Sequence, residues 1–175
     1  MAKKILAFAA SNSSVSINGQ LVTYAASLVE QADVEMIDIH DFEMPIYRHD
    51  REEAGGIPQL AHDFLARIAS ADALLISFAE HNGSYSAAFK NLFDWCSRAG
   101  RDVWQNKPMV LLSTSPGPGG AGRALNIAET AAPHFGGQVL ASVAVPNFYQ
   151  SFDSERNCLI DAALDTSLRE ALAGF

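Results

Sequence analysis

The sequence predicts one doubly wound α/β domain spanning residues 1–175, a five-stranded parallel sheet of order 2-1-3-4-5 with helices on both faces. Three observations predict it. Short, nearly continuous apolar runs such as Ala73-Leu74-Leu75-Ile76-Ser77-Phe78 and Met109-Val110-Leu111-Leu112 read as strands buried on both faces. Segments with helical spacing alternate with these runs along the chain. A length of 175 residues, 49% of them apolar, suits one such domain with a real core, with no linker and no internal repeat.

Ile5-Leu6-Ala7-Phe8-Ala9-Ala10 is the first strand. Beyond the polar stretch that follows it, Ile17, Leu21, Tyr24, Ala25 and Leu28 recur at helical spacing, a helix of about 14 residues. Val34, Met36, Ile37 and Ile39 read as the second strand. Residues 40–56 hold Pro45, Gly55, Gly56 and many charges without a helical period, a long connection of the functional or interface kind. Ile57, Leu60, Ala61, Phe64, Leu65 and Ile68 mark the second helix, with Pro58 in its first turn. After the third strand, a polar turn from Glu80 to Ser84 leads into a helix ending near Cys96. The fourth strand is followed by a turn rich in glycine and proline. Leu125, Ile127, Ala128, Ala131 and Phe135 then form a helix that stops at Gly136-Gly137. Val139 to Val145 make the fifth strand, and Ser154 can cap a last helix bearing Cys158, Leu164, Leu168 and Leu172. The crossovers are expected to be right-handed.

A formal charge of −8 argues against nucleic acid as a partner. Cys96 and Cys158 show neither CxxC nor histidine spacing, so no zinc site or disulfide framework is expected; both lie in helical patterns and read as buried thiols. The first apolar run is too short for a signal-peptide core or a membrane span, and no other run reaches spanning length. No membrane association and a cytoplasmic location are expected.

In sheets of this order ligands bind beyond the carboxyl ends of the strands, where the order reverses, here between the first and third strands. The loops there, 11–18, 80–84 and 115–122, are rich in small and polar residues. Those at the other edge, around Asp72, Asn106 and Gly137, are short and plain. The first loop empties a strand into a helix N-terminus through hydroxyls and amides, a set of donors for an anion such as phosphate. A serine that merely caps the helix is the simpler reading. Gly117, Gly119 and Gly122 spell G-x-G-x-x-G, but they follow the fourth strand, and no acidic residue lies about 20 positions on to hold a ribose. A tight turn and a backbone-lined wall against a flat ligand are the open readings. There is no Walker lysine, no G-x-S-x-G elbow and no acidic residue at the end of the first strand. The five histidines lack ligand spacing, so no metal is expected. Only His81 lies in a candidate loop, and it reads as a hydrogen-bonded loop residue. Phe89, Phe93 and Trp95 read as core or oligomer interface, and Lys90 and Asp94 can pair along the helix.

The segment Glu80-His81-Asn82-Gly83-Ser84-Tyr85, running on to Phe89-Lys90-Asn91-Leu92-Phe93-Asp94-Trp95, resembles P-E-Y-N-x-S-x-P-x-x-L-K-N-x-x-D-W of the NAD(P)H-dependent FMN reductases. That family has the flavodoxin-like fold and includes quinone, azo and chromate reductases. The opening loop resembles its G-S-x-R-x-x-S-x-N phosphate loop. Ser115-Pro116-Gly117 through Arg123 resembles its S-P-G-x-x-G-G-x-R-A turn, and Pro45-Ile46-Tyr47 its P-L-Y segment. The likeness covers essentially the whole chain.

The resemblance implies bound FMN, with Ser11, Ser13, Ser16 and Asn18, and Ile17 between them, at its phosphate. It implies that Glu80, His81, Asn82 and Gly83 line the isoalloxazine, largely through main chain. Ser115, Pro116, Gly117, Gly119 and Gly120 close its other side. A homodimer or homotetramer is implied, with the flavin near a subunit interface. The implied reaction is ping-pong: NADPH or NADH delivers hydride and leaves, then a small acceptor (quinone, free flavin, azo compound or metal oxyanion) takes the electrons from the same face. Hydride transfer needs position above all, so no catalytic acid or base is nominated. The alternative is an FMN-carrying electron-transfer protein without nicotinamide turnover. Four positions depart from the family pattern: Ala10 for Gly, Ser13 for the phosphate Arg, Ala79 for Pro and His81 for Tyr. Loss of the arginine removes a charge-assisted contact worth about 1.5–3 kcal/mol. Weaker FMN binding, or compensation by Arg48 or Arg51 from the long loop, are the two consequences left open.

Overall fold

Every side chain of Ala73–Phe78 is buried, and a strand apolar on both faces is stable only inside a sheet that is covered on both sides. The computed structural model describes residues 2–175 and builds that sheet. In chain order the elements are β1 (Lys3–Ala10), α1 (Ile17–Ser27), β2 (Ala32–Met36), a 3-10 turn (Ile39–Phe42), α2 (His49–Gly55), α3 (Gln59–Ser70) and β3 (Ala73–Phe78). A hairpin of β4 (Glu80–His81) and β5 (Ser84–Tyr85) precedes α4 (Ala87–Ala99), β6 (Pro108–Thr114) and α5 (Gly122–Ala131), which runs into a second 3-10 turn (Ala132–Phe135). The chain finishes with β7 (Gln138–Val145), α6 (Phe148–Ser151), a hairpin of β8 (Phe152–Asp153) and β9 (Cys158–Leu159), and α7 (Ala162–Leu172).

The sheet order is β2-β1-β3-β6-β7, parallel throughout, which is the expected 2-1-3-4-5 arrangement. Alternation along the strands divides the core. Leu6, Phe8, Leu74, Ile76 and Leu111 pack under α3, α4 and α5, while Ile5, Ala7, Leu75, Val110 and Leu112 pack under α1 and α7. Each such Leu, Ile, Val or Phe side chain contributes about 1.5–3 kcal/mol by leaving water.

The differences from expectation lie where polar side chains decide the boundary. Helix α1 has 11 residues, fewer than about 14, because it begins at its cap and ends beside Leu28. Strand β2 stops at Met36; Ile39 is buried instead in the 3-10 turn, whose first turn Asp38 caps through the His40 N–H at 2.9 Å. The 40–56 stretch contains α2, which buries no residue and so shows no apolar period. The last helix is capped by Asp161, which accepts from the N–H groups of Ala163 and Leu164, and not by Ser154. Cys158 lies in β9, half-buried, outside any helix. Cys96 is buried in α4 as expected, and burial pushes its thiol up to about 12.

Two buried polar side chains fix the end of the sheet from which the site loops leave. The Asn18 Nδ2 donates to the Thr114 carbonyl at 3.2 Å, and its Oδ1 accepts from the Ser77 hydroxyl at 2.8 Å and the Thr114 N–H at 3.0 Å. Ser86 donates to the Ala10 carbonyl at 3.0 Å while capping α4 through the Phe89 N–H. The Asn18→Ala substitution orphans buried groups on both β3 and β6 and is expected to cost about 2–4 kcal/mol. Urea unfolding checks this: the midpoint falls with an unchanged m-value, and a loss under about 1 kcal/mol contradicts the clamp.

Candidate functional site

The β1–α1 loop folds its hydroxyls back onto its own main chain. Ser11 accepts from the Ser13 N–H at 3.3 Å, Ser13 from the Val15 N–H at 3.4 Å, and Ser16, the cap of α1, from the Gly19 N–H at 3.0 Å. Capping thus uses one of the orphan donors in the first turn. The N–H groups of Ile17 and Asn18 still point out of the helix end with the positive pole of its dipole. Ser16 therefore caps while the loop keeps donors for an anion. Asn18 is 3% exposed and its side-chain amide is committed to the sheet, so an anion at this helix end could meet only its main-chain N–H.

A cleft of about 570 Å³ lies over this loop, lined by Ser11, Ser13 and Ser16 together with Gln20, Asp38 and Asn157. The sequence reading missed the last three. Gln20 sits one turn into α1, and its Oε1 is buried without a hydrogen-bond partner among the described residues.

The hairpin β4–β5 turns through Asn82 (φ 53°) and Gly83 (φ 81°), two consecutive left-handed residues that make a tight two-residue reversal. His81 stands exposed on it. Glu80 has another task. Its Oε2 accepts from the N–H groups of Arg123 and Ala124 at 3.0 and 3.2 Å. The N-cap position of α5 is Ala121, whose side chain cannot cap, so Glu80 caps the helix from a different loop. The carboxylate is thus spent on structure.

The 115–122 loop is pinned by the start of α6 and by β6. The Ser115 and Gly117 carbonyls accept from the Phe148 and Asn147 N–H groups at 3.1 and 2.9 Å, and Ser113 donates to the Gly120 carbonyl at 2.7 Å. Gly120 has φ 58°, and a Cβ there would lie 3.0 Å from the Pro146 nitrogen, so packing requires glycine. Gly117 and Gly119 differ: a Cβ on either meets nothing within 4 Å. The loop is both a tight turn and an open backbone wall. Pro116 is exposed on its outer side.

Neither Arg48 nor Arg51 lines the cleft over the 11–18 loop. Arg48 pairs with Asp50 at 2.7 Å, and Arg51 donates to the Ile46 carbonyl. A second histidine, His40, reaches the 11–18 loop, while His81 stands on the 80–84 hairpin as expected. His40 lies between Asp38 and the Asn12 carbonyl, at the boundary of the cleft and a second cavity of about 410 Å³ walled by Ile39, Phe42, Met44, Tyr47 and Ala88. Asn91 and Trp95 hold that cavity's rim: Asn91 accepts from the Tyr47 N–H at 2.8 Å and donates to the Met44 carbonyl, and the Trp95 indole donates to the Pro45 carbonyl at 2.7 Å. Phe89 and Trp95 are core, and Lys90 pairs with Asp94 at 2.6 Å as their spacing suggested.

Sheet order, flanking helices and the loop cluster at the reversal point define a flavodoxin-like protein. The fold matches that of a flavoenzyme NAD(P)H:(acceptor) oxidoreductase from Paracoccus denitrificans with a TM-score of 0.80 at 24% identity, over 98% of this chain and 94% of that one. The chain belongs to the NADPH-dependent FMN reductase family, which it matches over residues 3–150. It is accordingly an oxidoreductase of the type that uses FMN and NAD(P)H. It is 29% identical to an NADPH:quinone oxidoreductase of Arabidopsis thaliana over 97% of this chain and 88% of that protein. It is also 37% identical to a 2-hydroxy-1,4-benzoquinone reductase of Burkholderia over 67% of this chain and 63% of that protein. An NAD(P)H-dependent FMN reductase of Pseudomonas aeruginosa is 34% identical over 69% and 64% of the two chains.

The Glu80→Ala substitution is expected to loosen the start of α5 by about 1 kcal/mol. Hydrogen exchange at the Arg123 and Ala124 amides then quickens about fivefold, while β1 and β3 amides are unchanged. Unaltered exchange at both amides rules out the cap.

Proposed function

We propose that this chain passes hydride from NAD(P)H to a small quinone by way of FMN held across the three loops. The observation that carries the reading is their arrangement: an anion-receiving helix end on one side, an open glycine wall and a main-chain hairpin on the other. The phosphate would lie against the N–H groups of Ile17 and Asn18 and the hydroxyls of Ser11, Ser13 and Ser16. The ring would lie between residues 80–83 and the wall of Ser115, Pro116, Gly117 and Gly119, with Gly120 shaping the turn behind it. Bound FMN supplies two-electron hydride acceptance and donation.

The chain's own contribution is to hold one ring face open to nicotinamide and acceptor in turn, which supports a ping-pong order. Position and exclusion of water suffice for hydride transfer, and no side chain is assigned as acid or base. Among the acceptor classes, quinones are favoured by the names of two relatives. The homodimer or homotetramer implied by the family resemblance is part of this reading. A cytoplasmic location is supported by two unpaired cysteines. Among the described residues no helix is long and apolar enough to cross a membrane.

Purified protein is expected to be yellow and to bleach rapidly with NADPH or NADH under nitrogen, recovering on addition of a benzoquinone. A flavin-loaded protein that neither nicotinamide bleaches is an electron carrier. A colourless protein that fails to quench FMN fluorescence overturns the flavin site. For ring placement, Gly119→Leu is a cleaner probe than a change at Gly83. Gly119 lies outside the left-handed region with open space at its Cβ, whereas Gly83 has φ 81° and any side chain there strains the hairpin. Gly119→Leu is expected to lower FMN affinity about tenfold or more with little change in melting temperature. Normal loading in that variant places the ring elsewhere.

A further inference from the structure

His40 joins two parts of the site that are 28 residues apart in sequence. Its Nδ1 lies 2.7 Å from Asp38 Oδ1, and its Nε2 lies 2.8 Å from the main-chain oxygen of Asn12. A carbonyl oxygen can only accept, and so can an ionised carboxylate. Both ring nitrogens must therefore donate, which a neutral imidazole with one N–H cannot do. The contacts fasten the turn after β2 to the 11–18 loop. Asp38 is also the carboxylate in the wall of the cleft over that loop.

This matters because the cleft has Ser13 where an arginine would have met the phosphate, and Arg48 and Arg51 are engaged elsewhere. An uncompensated Asp38 would repel a phosphate, and an imidazolium against it removes that repulsion. We propose that His40 is a positioning residue for the cofactor phosphate: as an imidazolium it holds Asn12 in place and neutralises Asp38, so that affinity for FMN falls when the proton leaves. The inference rests on the FMN reading above.

The groups around the ring agree on the sign. Asp38 and Glu43 face it from its own turn, and the Asn12 carbonyl from the β1–α1 loop. Across the second cavity Lys90 and Asp94 of α4 are paired with each other. The hydrogen bond to Asp38 is the main cause that raises the His40 pKa above its ordinary value, followed by the bond to Asn12. The protonated, phosphate-receiving arrangement is thus complete at low pH and is lost as pH rises through that raised pKa.

The test is FMN titration by fluorescence quenching into the flavin-stripped full chain, from about pH 6.5 to about pH 9, beside His40→Gln and Asp38→Asn. Ionisation of the FMN phosphate is common to all three proteins and cancels in the comparison. Relative to His40→Gln, the unsubstituted chain is expected to lose about tenfold in affinity across the window, converging on the variant at the alkaline end. Asp38→Asn moves the step to lower pH, because the ring loses its carboxylate partner, and makes it smaller, because no carboxylate remains to be neutralised. Superimposable pH profiles for the unsubstituted chain and His40→Gln overturn the proposal. A second readout needs no flavin: the ring nitrogen NMR signals of His40 and the amide signals of Ser13 to Ile17 are expected to titrate together. A neutral imidazole at about pH 6.5 overturns it equally. If none of the three proteins binds FMN at any pH, the flavin reading and the affinity claim both fall, and the ring titration alone decides whether His40 fastens the loop.

Discussion

The side-chain amide of Asn18 is where the sheet and the site become one object. It sits in the first turn of α1 yet spends its donor and acceptor on Ser77 of β3 and Thr114 of β6. Away from water such a bond is strengthened, and an orphaned partner costs more than the bond returns. The helix end cannot shift without leaving the Thr114 main chain unpaired. Ser86 repeats the device between α4 and β1, capping a helix while gripping the Ala10 carbonyl. Two small polar residues thereby fix the ends of three strands, and each loop of the site begins from a fixed point.

The same economy runs through the motifs that resemble the reductase pattern. Glu80 caps α5 across a gap of 43 residues, so the hairpin and the glycine loop are held at a set spacing. Asn91 and Trp95 spend their polar atoms on the 44–47 segment, with the Tyr47 and Trp95 rings edge to face at 5.0 Å. Lys90 and Asp94 form an exposed pair of small energetic weight. What looks like a cofactor signature is therefore largely scaffolding. It sets where main-chain surfaces stand at the candidate site.

This explains what could be read from the sequence and what could not. The strands and their order were legible because β1, β3 and β6 are apolar on both faces and alternate with amphipathic helices. The site region was legible because only one edge of the strand ends carries long polar loops. Helix α2 was illegible because it buries nothing, and the cap at Asp161 lost to Ser154 because both are good capping residues seven positions apart. The hydrogen bonds by which Asn18, Glu80 and His40 reach across the fold were illegible for one reason. Their partners lie between 28 and 96 residues away, and polar pairing across loops leaves no periodicity to detect.

An anion site without an arginine in a chain of charge −8 needs an account of where its affinity comes from. A helix N-terminus favours an anion by about 0.3–1 kcal/mol when exposed and up to about 2 when partly buried. An arginine contact brings about 1.5–3 kcal/mol. The serine hydroxyls are half-occupied by their own loop, so they add orientation more than strength. The remainder has to come from the ring, where a flat apolar surface displaces water from main chain at about 25 cal/mol per Å². Gly117 and Gly119 leave that wall bare of side chains, and Gly83 keeps the hairpin tight enough to face it. On the proposed placement of FMN, recognition leans on the isoalloxazine, with the phosphate end serving to set its register.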